Sequence, residues 1–306
     1  MHGTTATERA ALRERLGPVG VWWTALGDQP AVVERAAAVE LEQLGYGSLW
    51  VGEGSSNKEP LAHAGILLAA TERLLIGTGI ASIWTRDPVA MHAGGQALSE
   101  AYPGRFVLGI GVSHASLVTA RGHDYGRPLT AMRAYLDGMD GAPYAGPEPA
   151  DGGPRVLAAL RPRMLELAGE RTAGAHSYFV TPEHTAAARR RLGREPLLIP
   201  EQAVLLEADP VAARARAREH MAFYLAAPNY RNALLELGWS SDDLDGGGTD
   251  AIVDAIVAWG DEDAIADRVR AHRDAGADHV LVQPLGATID DSRATLRRLA
   301  GTLLGG

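Results

Sequence analysis

From residue 18 onward the chain alternates short apolar runs with segments of helical periodicity, and that alternation limits the folds open to it. The runs are Pro18–Trp23, Ser48–Val51, Leu74–Ile80, Arg105–Gly111, Arg155–Leu160, Ala175–Val180, Ala203–Ala208 and His279–Pro284. Runs that are largely apolar throughout, rather than alternating with polar residues, indicate strands covered on both faces, as in parallel sheets. The stretch after the first run shows the helical counterpart: Val32, Val33, Ala36, Ala37, Val39, Leu41 and Leu44 recur at helical spacing, closed by Gly45. Eight such repeats are the number that closes a (β/α)8 barrel. The competing fold is an open doubly wound sheet. Its dinucleotide-binding turn needs a third glycine, but Gly109-Ile110-Gly111 is followed by Val112, Ser113 and His114, in the fourth repeat.

Residues 209–275 exceed what one crossover needs. They hold Pro228-Asn229-Tyr230-Arg231-Asn232, the linker Asp245-Gly246-Gly247-Gly248 and an expected helix around Trp259. The expectation is one barrel domain over residues 1–306, with a helical insertion at 209–275 between strands seven and eight.

The third repeat breaks its own pattern. Leu74, Leu75 and Ile76 are continuous, then Gly77 and Gly79 flank Thr78, and Ile80-Ala81-Ser82-Ile83-Trp84 runs on to Asp87-Pro88. Glycine inside a strand marks a bulge or the close approach of another group. The stretch reads either as a strand deformed at its carboxyl end to meet a flat ligand or as a glycine-weakened strand with a long loop.

Composition excludes several functions. The net charge is −9, with no basic block, which argues against nucleic acid or an anionic membrane as partner. No apolar run reaches the roughly 18 residues of a membrane span. There is no cysteine, so thiol and disulfide chemistry are absent and a cytoplasmic location is expected.

Barrel active sites lie at the carboxyl ends of the strands. That rule selects Trp22, Trp23 and Thr24, then Glu53, then Gly79 to Ser82 and Trp84, then Ser113 and His114, then Ala159, Leu160 and Arg161, then His176 and Tyr178, and Gln283. The set offers no metal-ligand cluster and no G-x-S-x-G elbow, so a cofactor is expected to bring the chemistry and no metal is expected. His114 is the candidate proton carrier, against an exposed loop histidine. Glu53 is a second candidate, or it pairs with an arginine at the barrel rim. Arg161, before Pro162 at a helix start, fits a phosphate. Trp22, Trp23, Trp84 and His176 are candidate walls of a substrate pocket, or core.

In order along the chain, GYGSLWVGE (Gly45–Glu53), LLIGTGIASIWTRDP (Leu74–Pro88), PGRFVLGIGVSH (Pro103–His114), VLAALRPRMLELAGERTAGA (Val156–Ala175) and AGADHVLVQPL (Ala275–Leu285) resemble the bacterial luciferase-like superfamily. The resemblance is to its branch of oxidoreductases using the deazaflavin coenzyme F420. It implies a non-prolyl cis peptide at Gly79–Ile80, with Gly79, Ile80 and Ala81 behind the deazaflavin ring. It also implies cofactor contacts at Val112 and Ser113, and a phosphate-bearing tail over Ala158, Ala159, Leu160 and Arg161. The activity implied is hydride transfer to or from a small, apolar organic substrate, in a homodimer. An FMN-dependent monooxygenase and a non-catalytic cofactor-binding protein are the alternatives within the superfamily. The sugar-phosphate dehydrogenases of the branch have a histidine where Gly54 stands and a glutamate where His114 stands, so their acid–base scheme does not carry over.

Overall fold

The computed structural model describes residues 4–305. Ten strands run β1 (Val19–Trp22), β2 (Ser48–Val51), β3 (Leu75–Thr78), β4 (Ala81–Ser82), β5 (Phe106–Gly111), β6 (Arg155–Ala158), β7 (Gly174–Ser177), β8 (Leu197–Leu206), β9 (Val257–Gly260) and β10 (Val280–Pro284). Neighbours pair in parallel in the order β10-β1-β2-β3-β5-β6-β7-β8, and β8 pairs again with β10. The result is a closed eight-stranded parallel barrel ringed by helices, the expected (β/α)8 architecture.

Successive strand residues point to opposite sides, inward or out to the helices. Trp22, Trp50, Leu75, Val107, Val156, Leu197, Ile199 and Leu281 pack together inside the barrel. Val21, Trp23, Leu49, Val51, Ile76, Phe106, Leu198 and Val282 join the outer layer beneath the helices. Helix Ala6–Leu16, which the polar N-terminal sequence did not suggest, buries Leu12 and Leu16 in the inner cluster. Its start is fixed by a capping box between Thr5 and Glu8.

Hydrogen bonds on both sides hold the break between β3 and β4, which is how a deformed buried strand persists. Thr78 Oγ1 donates to the Gly109 carbonyl at 2.7 Å and accepts from Gly109 N–H at 2.8 Å, standing in for the missing ladder. Gly79 N–H donates to Val51 O at 2.8 Å and Trp22 Nε1 donates to Gly79 O at 3.0 Å. Glu53 N–H donates to Ile80 O at 3.2 Å. The Gly79–Ile80 peptide is cis. A Cβ on Gly109 would stand 1.8 Å from Thr78 O, so only glycine allows this approach.

Two expectations about the second half need correction. The seventh strand begins at Leu197, six residues before the expected start. The segment around Trp259 is a strand, not a helix: Val257–Gly260 pairs with Ala203–Leu206 on the side of β8 that β7 has left. The rest of the 209–275 segment is helical as expected. It packs Met221, Leu225, Tyr230, Leu234, Ile252 and Val253 with Phe179 and Leu205 into a second core above the end of β8.

Candidate active site

At the carboxyl ends of the barrel strands the molecule opens into a cavity of about 870 Å³. Trp22, Glu53, Gly79, Ile80, Val112, Ser113, His114, Ala158, Ala159, Leu160, Arg161 and His176 from the sequence-selected set all line it. Five others do not: Ser82, Gln283 and the three described next. Trp23 follows Trp22 and points the opposite way, into the outer core at 2% exposure. Ala81, next to the inward Ile80, is likewise buried in the outer core. Trp84 leaves the cavity: its Nε1 donates to Val112 O at 2.9 Å, and its ring lies 6.2 Å from that of Tyr125. These three cannot serve as cavity walls in this geometry.

Glu53 lines the cavity, but its carboxylate is occupied. Arg86 grips it with both terminal nitrogens, each at 3.1 Å, and Ser82 N–H donates to Oε2 at 2.7 Å. A bidentate arginine pair with an added backbone donor fixes the orientation of a carboxylate. The rim-pair reading of Glu53 therefore fits better than the acid–base reading.

His114 sits in a different environment. Its ring lies 5.4 Å from that of Tyr230 and 5.6 Å from that of Phe223. Burial pushes its pKa below the ordinary histidine value, with the Asn229 side chain opposing only in part. The lowered pKa favours the neutral imidazole at pH 7. Nδ1 is enclosed with no hydrogen-bond partner. Ser113 beside it adopts a left-handed backbone, φ 56°, rare for a residue other than glycine.

His176 is a floor residue. Its Nδ1 meets Ile199 O at 2.8 Å, the ring lies 5.6 Å from Trp50, and burial lowers its pKa to about 4. It is a neutral, fixed wall.

The 158–161 loop is tied from behind. His184 Nε2 meets Leu160 O at 2.7 Å, Ser177 Oγ donates to Ala159 O at 2.8 Å, and Ala159 N–H donates to His176 O at 2.9 Å. Helix Pro162–Arg171 starts there with no side chain capping it, leaving first-turn N–H groups open to an anion. Arg161 and Arg163 line this part of the cavity, and Arg161 pairs with Glu236.

Sequence reasoning passed over the opposite wall. Phe223 and Tyr224 on helix Pro210–Ala226, and Asn229, Tyr230 and Glu236 on helix Pro228–Glu236, all line the cavity. Tyr178, which the strand-end rule did select, meets them: Tyr224 and Tyr178 hydroxyls are 2.8 Å apart, and Tyr178 donates to Gln283 Oε1 at 2.8 Å. Glu201, an acid on β8 that was not selected either, is buried at 2% exposure and is not part of the cavity lining. Among the described residues no cluster of three or more His, Cys, Asp or Glu could hold a metal, and no helix is long and apolar enough to cross a membrane.

Known proteins bear on this site. The chain is 27% identical over 211 residues to 5,10-methylenetetrahydromethanopterin reductase of Methanolobus tindarius, a match spanning 60% of this chain and 65% of the reductase. Its fold matches the coenzyme F420-dependent tetrahydromethanopterin reductase of Methanopyrus kandleri with a TM-score of 0.76, at 16% identity over 95% of this chain and 99% of that one. It also matches an FMN-bound type II Baeyer-Villiger monooxygenase component of Pseudomonas putida, with a TM-score of 0.69 at 17% identity over 93% and 96% of the two chains. The family model for luciferase-like monooxygenases matches residues 23–279, so the chain belongs to the luciferase-like monooxygenase family.

Proposed function

We propose that the chain is an F420-dependent oxidoreductase that moves a hydride between the deazaflavin and a small, largely apolar organic substrate in this cavity. The observation that carries the reading is the cavity's two-ended construction. The fixed bulge at Gly79–Ile80 and the apolar Val112 flank its inner end, and the uncapped helix start with Arg161 and Arg163 lies at the other. A flat ring on a phosphate-bearing chain matches that division. Gly79, Ile80, Val112 and Ser113 would hold the ring, and Ala158 to Arg161 the phosphate. When bound, the deazaflavin supplies a ring carbon that accepts or gives a hydride.

The protein's own part is positioning and proton handling. Trp22, bonded to Gly79 O, keeps the bulge in place. Neutral His114 takes a proton from the substrate through Nε2 in the oxidative direction and returns it in the reductive one. Glu53 holds Arg86 and the Ser82 backbone, and so fixes the loop after β4.

Separate titrations with F420 and with FMN test the reading. Preferential binding of F420, followed by anaerobic turnover with alcohols, imines or enones, is the expected result. Preference for FMN, with oxygen uptake by the reduced complex, moves the chain to flavin monooxygenase chemistry. Tight F420 binding without turnover across that panel leaves a cofactor carrier.

A further inference from the structure

We propose that His184 is a positioning residue for the phosphate end of the cavity: together with Ser177 it turns the carbonyls of the 158–161 loop back into the protein, so that the loop presents its N–H groups to an anion. This rests on the phosphate-bearing chain of a cofactor lying at that end, as proposed above.

Neither side chain belongs to the cavity lining. Ser177 lies between His176 and Tyr178, which both line the cavity, so the two-residue period of β7 sends Ser177 to the other side. His184 stands third in helix Pro182–Leu192, whose start is capped by Thr181, and it is buried behind the same loop. From there Ser177 Oγ donates to Ala159 O at 2.8 Å and His184 Nε2 meets Leu160 O at 2.7 Å.

In a planar trans peptide the N–H points away from the carbonyl it is joined to. The Ala159 carbonyl shares its peptide with the Leu160 N–H, and the Leu160 carbonyl shares its peptide with the Arg161 N–H. Both N–H groups are therefore turned away from Ser177 and His184, to the cavity side. Among the described residues neither meets an acceptor in the protein. The Arg163 N–H joins them in the uncapped first turn of helix Pro162–Arg171. Successive N–H groups of this kind make a concavity for an anion. With the Leu160 carbonyl turned round, its oxygen would stand where the anion must sit.

The state of the imidazole suits that task. Leu160 O can only accept, so Nε2 carries the proton and the ring is neutral. Burial, which lowers the His184 pKa, favours the same form. Nδ1 is then an acceptor, and it is enclosed with no partner. For packing alone such a ring is a poor choice, because nothing offsets the desolvation of Nδ1. The bond to Leu160 is what the imidazole contributes and an apolar side chain of similar size does not.

The test titrates the full-length protein with two pairs of ligands: F420 against its deazaflavin chromophore lacking the phosphorylated chain, and FMN against riboflavin. In wild type the phosphorylated member of the preferred pair is expected to bind about tenfold more tightly or better. His184→Leu is expected to erase most of that advantage, while the phosphate-free member binds within about twofold of wild type. His184→Gln, whose amide can donate to Leu160 O, is expected to restore the advantage. A side chain that only supports the fold would weaken both members alike. Should His184→Leu not fold, Ser177→Ala decides: it is expected to weaken the phosphorylated ligand severalfold and to spare the other. No phosphate advantage in wild type, equal effects on both members in the deciding variant, or a loss in His184→Gln as large as in His184→Leu each overturns the proposal. The choice between the pairs keeps the two readings apart. Preference for FMN defeats the deazaflavin reading and leaves His184 to be judged on the flavin pair, whereas preference for F420 without a phosphate-selective effect of His184 defeats only the positioning role.

Discussion

Glu201 gives the structure a measurable pH signature. Its pKa stands near 8 in the fold, raised by burial from an ordinary 4.5. The folded state therefore binds this proton more tightly than the unfolded chain. The associated stability is present in full below about pH 4.5 and is lost as pH rises through 8. Each pH unit between those values removes about 1.4 kcal/mol, on the order of 5 kcal/mol by pH 9. The assay is urea unfolding of wild type and Glu201→Gln across pH 5 to 9, read as the difference between their stabilities. The difference is needed because other groups push the opposite way. Burial lowers His176, His220 and His279 to about 4 and His272 to about 3. Those four stabilise above pH 6.5 and destabilise as pH falls through their folded values, equally in both proteins. Wild type should lose ground to Glu201→Gln steadily from pH 5 to 8 and then level off. A difference that does not change with pH would show that Glu201 ionises freely, and the description of it as a buried, unpartnered acid would be wrong.

Four further expectations follow from the same geometry. His114→Gln should slow turnover by about 10²- to 10⁴-fold with cofactor affinity unchanged; turnover equal to wild type removes His114 from the proton path. Arg86→Met leaves the Glu53 carboxylate buried without its partner and should destabilise by on the order of 3–5 kcal/mol, with Arg86→Met/Glu53→Gln recovering most of it in urea midpoints; a single variant as stable as wild type contradicts the pairing. Gly109→Ala puts a Cβ where Thr78 O stands and should destabilise by about 1–3 kcal/mol or more, checked by thermal melting. Glu236→Gln frees Arg161 from an exposed ion pair and should tighten binding of a phosphate-bearing cofactor by about fivefold or less in a titration, while weaker binding would place Glu236 among the cofactor's own contacts.

The barrel was readable because its strands are buried on both faces and so appear as runs such as RFVLGIG and HVLVQP. The strand that escaped in part, β8, shows why the rule has a limit. Pro200, Glu201 and Gln202 interrupt its apolar text, yet Glu201 bonds to Phe179 N–H inside the barrel and Gln202 bonds outside it to Ile256 O at 2.8 Å and His272 at 3.0 Å. Tertiary partners satisfy residues that local pattern reads as a loop. Val257–Gly260 escaped for the opposite reason: it continues the apolar pattern of helix Asp250–Ile256 and becomes a strand only because the end of β8 lies open beside it. Pairing Trp22 with Trp23 as pocket walls overlooked the two-residue period of the strand they end. Phe223, Tyr224 and Tyr230 carried no local signal, since they reach the cavity only when the insertion folds back over the strand ends.

The placement of charge also decides what this site should refuse. At the two positions where the sugar-phosphate enzymes of the branch resemble one another, this chain has Gly54 and His114. Gly54 has no side chain to offer, and its N–H and C=O are taken by Asn57 at 2.7 Å and Arg121 at 3.1 Å. His114 is neutral and faces rings. The basic side chains of the cavity wall, Arg161 and Arg163, stand where the cofactor's phosphate is proposed to lie, so a substrate bearing its own phosphate would have to put it against Tyr178, Tyr224 and Tyr230. Removing a phosphate from water into such a wall without a partner is strongly unfavourable. Glucose 6-phosphate should therefore not turn over, even at millimolar concentration. Turnover at micromolar levels would mean that a cationic group reaches the inner wall, and the placement of the cavity's basic side chains at the helix start alone would fail.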